Sequence, residues 1–433
     1  MYHPEVIGVV APNVATSQYI ARTVAAHGYE ALPRQETVLE SDSKSRIYVV
    51  RICAAGAEPL RLVLKWYEGI RHQQARIEAA MNTYFRHCLA AHHAIVPILT
   101  VIPVPTITRQ PLSLSIMPYC GNETLYDRLH TLPRHSSQVT ALLAQASETL
   151  AYMQVLGRQG HDKQTIHLTD LTPDETVAYF LRQIESALQP TFIASRDPLG
   201  MEKMLLEQFA AFAAILAGDS TAAGLYYRGI NPRNIMLVGN TQVEIDFEQD
   251  SLRTRFIDIV SLLENGLEMT TWDGAVDYPA FTGQLPFAAW LLQRQRAEAA
   301  LAAHNYLSHE QVETLTMTFL ETTWHLEQQH LAATRPPYSS AEQRLLLDTT
   351  RLFRHLQYIG YCKRNEEQAQ TASKRLSSRC RQHFHAVWAK VALDNLLFPA
   401  EAGGQWLSEI QRHLALALRQ TLDQLPLPVL ETP

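Results

Sequence analysis

No stretch of this sequence reaches the roughly 18–20 apolar residues that span a bilayer. The best run, Phe209 to Gly218, is too short and sits inside a longer helical pattern. The N-terminal MYHPEVIGVVAP has no basic region and no small-residue cleavage site, so a signal peptide is not expected. Cysteine is sparse: Cys53, Cys88, Cys120, Cys362 and Cys380 are scattered, odd in number and form no CxxC pair. That argues against a disulfide framework or a thiolate zinc site, and for a reducing compartment. Positive charge is not in excess either. The formal net charge of −6 argues against a chain held on nucleic acid by charge alone. Charged residues make up only 18%, which excludes long solvated charged tails. The expectation is a cytoplasmic protein with neither a nucleic-acid nor a membrane partner.

What is present is an ordinary core composition, 46% apolar over 433 residues, enough for two or three folding units. The first 130 residues are strand-rich. Three β-like runs (36–40, 46–54 and 60–67) precede a helix over 73–91, and two more runs follow at 95–104 and 112–119. This order predicts a five-stranded, mostly antiparallel sheet carrying one helix. After Gly121 the pattern turns helical, interrupted by a β-like island at 225–247 that reads LYYRGINPRNIMLVGNTQVEIDF. From Leu252 onward it is helical again, with breaks expected at Pro336-Pro337 and near Pro399.

Lys65 is alone in the apolar strand LVLKWY, and an isolated buried ammonium is costly. Glu78, the only acid on the following helix, is its natural partner. Such a pair would aim the ammonium at the α/β phosphates of a nucleotide. The plainer reading leaves Lys65 at a strand edge, reaching to water. Asn234 and Asp246 stand twelve residues apart and flank the apolar runs of a hairpin, which would bring an amide and a carboxylate to one edge. Oxygen ligands of this kind suit Mg²⁺.

These residues together resemble the aminoglycoside-phosphotransferase branch of the protein-kinase-like superfamily. The family's catalytic loop, HGDxxxxN or HRDxxxxN, aligns with Tyr227-Arg228-Gly229-Ile230-Asn231-Pro232-Arg233-Asn234, and Ile245-Asp246-Phe247-Glu248 matches its metal motif. Asp258 takes the place of the aspartate that braces the catalytic loop. Asp42-Ser43-Lys44-Ser45-Arg46-Ile47-Tyr48 is similar to the DASxRRY phosphate loop of bacterial amino-sugar kinases, and Arg354-His355-Leu356 through Gly360 is similar to their RHLxxxG helix.

The resemblance implies an α+β, two-lobed kinase-like fold with a helical C-terminal extension. It divides the chain into an N-lobe over 1–120, a C-lobe core over 121–266 and an extension over 267–433. It implies ATP and Mg²⁺ as cofactors. Lys65, Glu78, Ser43 and Ser45 would lie on the nucleotide, with Met117 and Tyr119 in a hinge over 117–121, and Asn234 and Asp246 would hold the metal.

One departure is decisive for function. The family's catalytic base position is occupied by Gly229, and no aspartate lies between Asp219 and Asp246 to replace it by a shift of alignment. Glycine cannot accept a hydroxyl proton, and losing a general base typically costs about 10²–10⁴ in rate. Asp250 or Glu248 are the acids near enough in sequence to substitute. The expectations are therefore a degenerate kinase that binds nucleotide and acts on a protein partner, or an active phosphotransferase on a hydroxylated small molecule such as an amino sugar. Residues 351–385 carry eight Arg or Lys against two acids, which reads either as a solvated helix face or as a surface for an anionic ligand.

Overall fold

The computed structural model describes residues 37–39, 47–52, 60–69, 72–89, most of 94–104, 112–166 except 122, parts of 169–178, 230–247 except 246, 251–252, 256–265, 306–331, 339–399, 407 and 409–423. The strands are β1 Thr37–Leu39, β2 Ile47–Ile52, β3 Leu60–Glu68, β4 Ala94–Ile95, β5 Thr100–Val104, β6 Leu112–Pro118, β7 Thr169–Asp170, β8 Ile235–Val238, β9 Thr241–Glu244 and β10 Ser251–Leu252. The α-helices are α1 His72–Leu89, α2 Leu125–Thr131, α3 Ser137–Asp162, α4 Phe256–Val260, α5 His309–His330, α6 Ser340–Gln368, α7 Ala372–Leu397 and α8 Glu409–Asp423. They form an α+β chain of two compact units. The first holds Met1–Leu125, Lys163–His167 and Arg233–Asp250; the second holds Tyr126–Asp162, Leu168–Pro232 and Ser251–Pro433.

In the first unit, β2 (IYVVRI) and β3 (LRLVLKWYE) are rich in β-branched, aromatic and Leu residues, and in β6 the apolar Leu112, Leu114 and Ile116 alternate with Ser113 and Ser115. The sheet runs β1-β2-β3-β6-β5 and is antiparallel throughout, as the order of runs predicts. Helix α1 buries Ala75, Glu78, Met81, Asn82, Phe85 and Leu89, a stripe at helical spacing that contains one acid.

The run 95–104 is not the single strand expected. Its first residues form β4, which pairs in parallel with β9, and only Thr100–Val104 joins the main sheet. Pro97 offers no N–H to a ladder. Asn82 serves the backbone on either side of it, donating to the Val96 carbonyl at 2.7 Å and accepting the Ile98 N–H at 3.0 Å. The hairpin β8–β9 turns at Gly239, whose φ of +65° suits a residue without Cβ. Val96, Met117, Met236 and Val243 form a small core beneath β4, β6, β8 and β9.

Among its described residues, the second unit is helical except for the parallel pair β7–β10. Its longest contact runs along α6 and α7, which bury Leu352, Phe353, Leu356 and Ile359 on one side and Trp388, Ala389 and Leu393 on the other. Capping boxes at Ser308 and Ser339 start α5 and α6, and the Thr371 hydroxyl accepts the Lys374 N–H to start α7. Among the described residues, no helix is long and apolar enough to cross a membrane.

Candidate functional site

The first unit brings Lys65 and Glu78 together. From β3, the Lys65 Nζ reaches 3.3 Å from both carboxylate oxygens of Glu78 on α1. The residues are 6% and 0% exposed, so each charge is balanced where neither could stand alone at a cost of less than several kcal/mol. Glu78 accepts two further donors. The Tyr67 hydroxyl donates to Oε2, and the Phe247 backbone N–H lies 3.5 Å from Oε1. Lys65 Nζ also sits 5.2 Å from the centre of the Tyr67 ring, within cation–π range.

Residues two apart on a strand share a face, and register extends this face to β6, where Ser115 lies opposite Lys65 and Ser113 opposite Tyr67. Both serines are buried, and the Ser115 Oγ has no hydrogen-bond partner among the described residues. A polar column at the centre of an apolar sheet is costly unless it serves a purpose.

The hairpin that carries Asn234 is bound into the same unit. Asn234 closes a 3₁₀ turn, Pro232–Asn234, and its carbonyl accepts the Ile245 N–H at 3.2 Å. Phe247 stacks on Phe85 of α1, ring centres 5.8 Å apart. The chain neighbours of Asp246 are therefore tied to Asn234 on one side and to Glu78 and α1 on the other. Met117 directs its side chain into the apolar cluster, leaving backbone atoms for any hinge role, while Tyr119 is half-buried beyond the strand end. Asp246 itself, Ser43, Ser45, Tyr227, Gly229, Glu248 and Asp250 lie outside the described residues. In the second unit, Asp258 is buried on α4 and accepts a hydrogen bond from Gln154 Nε2 at 3.3 Å.

The basic segment 351–385 is not a uniformly solvated face. Arg351 is fully buried, with Glu264 at 2.7 Å, Glu313 at 2.6 Å and Asp348 at 3.3 Å. Its neighbour Arg354 donates to the Ser261 hydroxyl at 3.0 Å, and Arg379 pairs with Glu366. His355, also in the RHLxxxG-like stretch, is buried between Glu264 Oε2 at 2.8 Å and His385 Nδ1 at 3.0 Å, with its ring stacked on Trp388.

Burial holds the His355 imidazole below its ordinary value, against the pull of Glu264. A neutral ring then donates from Nε2 to Glu264 and accepts at Nδ1 from His385. Burial alone would raise the Glu264 carboxyl, but Arg351 and His355 outweigh it and hold it below its ordinary range. Burial wins at Asp348, which is raised. These contacts make the stretch 351–355 an internal clasp between α6 and the turn that follows α4. Among the described residues, no group of three His, Cys, Asp or Glu gathers in a metal-holding arrangement.

No family model and no curated protein matches the chain. Among solved structures it is similar to the choline kinase from Cryptosporidium parvum Iowa II, with 11% identity over 84% of this chain and 91% of that one, at a TM-score of 0.44. It is also similar to a Plasmodium vivax ethanolamine kinase, with 8% identity over 85% of this chain and 84% of that one, at a TM-score of 0.41.

Two features escape the sequence reading. Tyr67 was signalled by its place two residues beyond Lys65, where strand periodicity puts it on the same face. The Glu264–Arg351 pair carried no such signal, because its members are distant in sequence.

Proposed function

We propose that this chain is a kinase-fold protein that binds ATP with Mg²⁺, and that it is a pseudokinase or a catalytically impaired phosphotransferase. The buried Lys65–Glu78 pair carries this reading. The Lys65 amine lies 3.3 Å from both oxygens of a single carboxylate, and a lysine head group carries up to three N–H donors, chemistry that suits a phosphate as well as a carboxylate. Lys65 would hold the α/β phosphates and Glu78 would fix its direction. Asn234 and Asp246 would hold Mg²⁺, with Ser43 and Ser45 along the phosphates and the backbone at Met117 and Tyr119 along the base. Bound Mg–ATP supplies the transferable phosphoryl group and much of the charge neutralisation that phosphoryl transfer needs. The protein's own part is positioning, and Gly229 removes its means of accepting the acceptor's proton.

The antiparallel sheet with one inserted helix supports an N-lobe over 1–120, and the helices beyond support a C-lobe core over 121–266 with an extension over 267–433. The DASxRRY-like and RHLxxxG-like stretches favour the amino-sugar kinase branch. Cys88, Cys120, Cys362 and Cys380 form no disulfide, which is consistent with a reducing, cytoplasmic setting. A second reading is an active phosphotransferase on an amino sugar or similar hydroxylated molecule, with Asp250 or Glu248 as base. The retention of Lys65, Asn234 and Asp246 together favours it, since a scaffold without nucleotide has no chemical need of them.

Thermal shift with Mg–ATP tests the shared part. Ligand at 100 times its Kd stabilises the native state by about 2.7 kcal/mol. The shift is expected for the intact chain and lost in Asp246→Ala; its absence from the intact chain refutes nucleotide binding. ATP turnover with amino sugars then separates the readings. No turnover until Gly229→Asp is introduced marks the pseudokinase, and turnover in the native chain marks the enzyme.

A further inference from the structure

We infer that Tyr67 is a positioning residue for the Lys65–Glu78 pair: its hydroxyl holds Glu78 so that Lys65 is shared with, rather than captured by, that carboxylate. The inference rests on the nucleotide reading above and names what sets the strength of that site.

Glu78 is fully buried in the interior of α1 and must be balanced by donors from the protein. It has three kinds. Lys65 Nζ is equidistant from both oxygens at 3.3 Å, long for a charge-assisted bond, which usually closes to about 2.7–2.9 Å. Phe247 N–H is longer still at 3.5 Å. The Tyr67 hydroxyl and the Phe247 N–H are both neutral donors, and of the two it is the hydroxyl that takes Oε2 directly.

A neutral donor satisfies part of the carboxylate without consuming the lysine's charge. Without it, the buried carboxylate would draw the ammonium fully onto itself, and a phosphate would have to compete for it. The Tyr67 ring adds a second constraint, standing 5.2 Å from Nζ and limiting where the lysine can swing. Tyr67 and Lys65 are two apart on β3, so the strand's own pleat sets both groups on the face that meets α1.

The test is a double-mutant cycle on the full-length protein with Mg–ATP as ligand, read by calorimetry. Tyr67→Phe keeps the ring and removes the donor, and it is expected to weaken Mg–ATP binding about tenfold. In a Glu78→Gln background the same change is expected to have less than a twofold effect, because the carboxylate it serves is gone. A second readout needs no nucleotide. In Tyr67→Phe, Lys65 acylation by an amine-reactive reagent, followed by mass spectrometry across pH 7–10, should show a rate profile displaced to higher pH as the ammonium is held more tightly.

Equal losses in both backgrounds, or an unmoved Lys65 profile, overturn the inference. Failure of the unmodified chain to bind Mg–ATP, with the Lys65 profile still displaced, instead overturns the nucleotide reading alone. If Tyr67→Phe does not fold, Tyr67→His, which keeps a ring and an N–H donor, is expected to retain affinity within about threefold. A tenfold loss in that variant overturns the inference.

Discussion

Arg351 makes no contact with solvent, and three carboxylates surround it. Replacing it with Met leaves those charges without their central cation, and breaking a buried pair in this way costs about 3–5 kcal/mol. Urea unfolding of Arg351→Met should show a loss of that size, against less than 0.5 kcal/mol for an exposed control such as Arg364→Met. His355 gives the same cluster a pH dependence. Its folded value lies below the ordinary 6.5, so below about pH 6.5 the unfolded chain binds the proton that the folded protein refuses, and stability falls with falling pH. Glu264, also depressed, adds a further loss once pH drops below its ordinary 4.5. Asp348 is raised and acts in the opposite sense: the folded state takes up its proton first, at pH above the ordinary 3.8, which offsets part of the acid loss there. The melting temperature should therefore be level between about pH 7 and 8, below the lowered value of Lys363 near 8, and decline from about pH 6.5 to 5. His355→Gln should remove that upper part of the decline, and an unchanged slope would assign it to another group.

Helix starts and turns carry their own predictions. Thr371 caps α7 through the Lys374 N–H at 3.2 Å, so Thr371→Ala should cost about 1 kcal/mol by denaturant titration. At Gly239 nothing lies within 4 Å of a Cβ placed there, so the cost of Gly239→Ala is that of the backbone alone, about 1–2 kcal/mol at positive φ. Gly239→Asn should cost less than Gly239→Ala, since Asn tolerates that conformation.

Elements of this kind also show how far sequence carries. The three strands, helix and two strands of the main sheet are readable because each has its own period and its own turn residues. Lys65 and Glu78 are readable for the opposite reason: Lys65 interrupts an apolar run, and Glu78 is the one acid on α1. The break between α6 and α7 has neither Pro nor Gly to announce it, and depends on one threonine hydroxyl. The division of 95–104 into β4 and β5 was hidden because β4's partner is remote. Strand periodicity places Tyr67 on the face of Lys65, but its hydroxyl acquires meaning only once Glu78 is beside it. Arg351 reads as part of a solvated or anion-binding basic face, because Glu264, which closes around it, comes from a distant segment.

For the whole chain, two units divide the labour. Lys65, Glu78, Asn234 and the neighbours of Asp246 all belong to the first, whereas the ion cluster around Arg351 belongs to the second. Hydrogen exchange should separate them. Mg–ATP is expected to slow exchange in β3, α1 and the β8–β9 hairpin, and a shift from pH 7 to 5.5 to hasten it along α6 and α7. Protection confined to α6 and α7 on adding Mg–ATP would place the nucleotide elsewhere.

The parallel pairing of β4 with β9 joins Ala94 to Val243, about 150 residues further along the chain. A ribosome adding about 5–20 residues per second would therefore release β1–β6 many seconds before the strand that completes them. During that interval the nascent polypeptide carries the Lys65–Glu78 pair without Phe247, and the apolar side chains of Val96 and Met117 without Met236 and Val243. Synthesis is therefore a stage at which the first unit leaves uncovered an apolar surface that the finished fold buries.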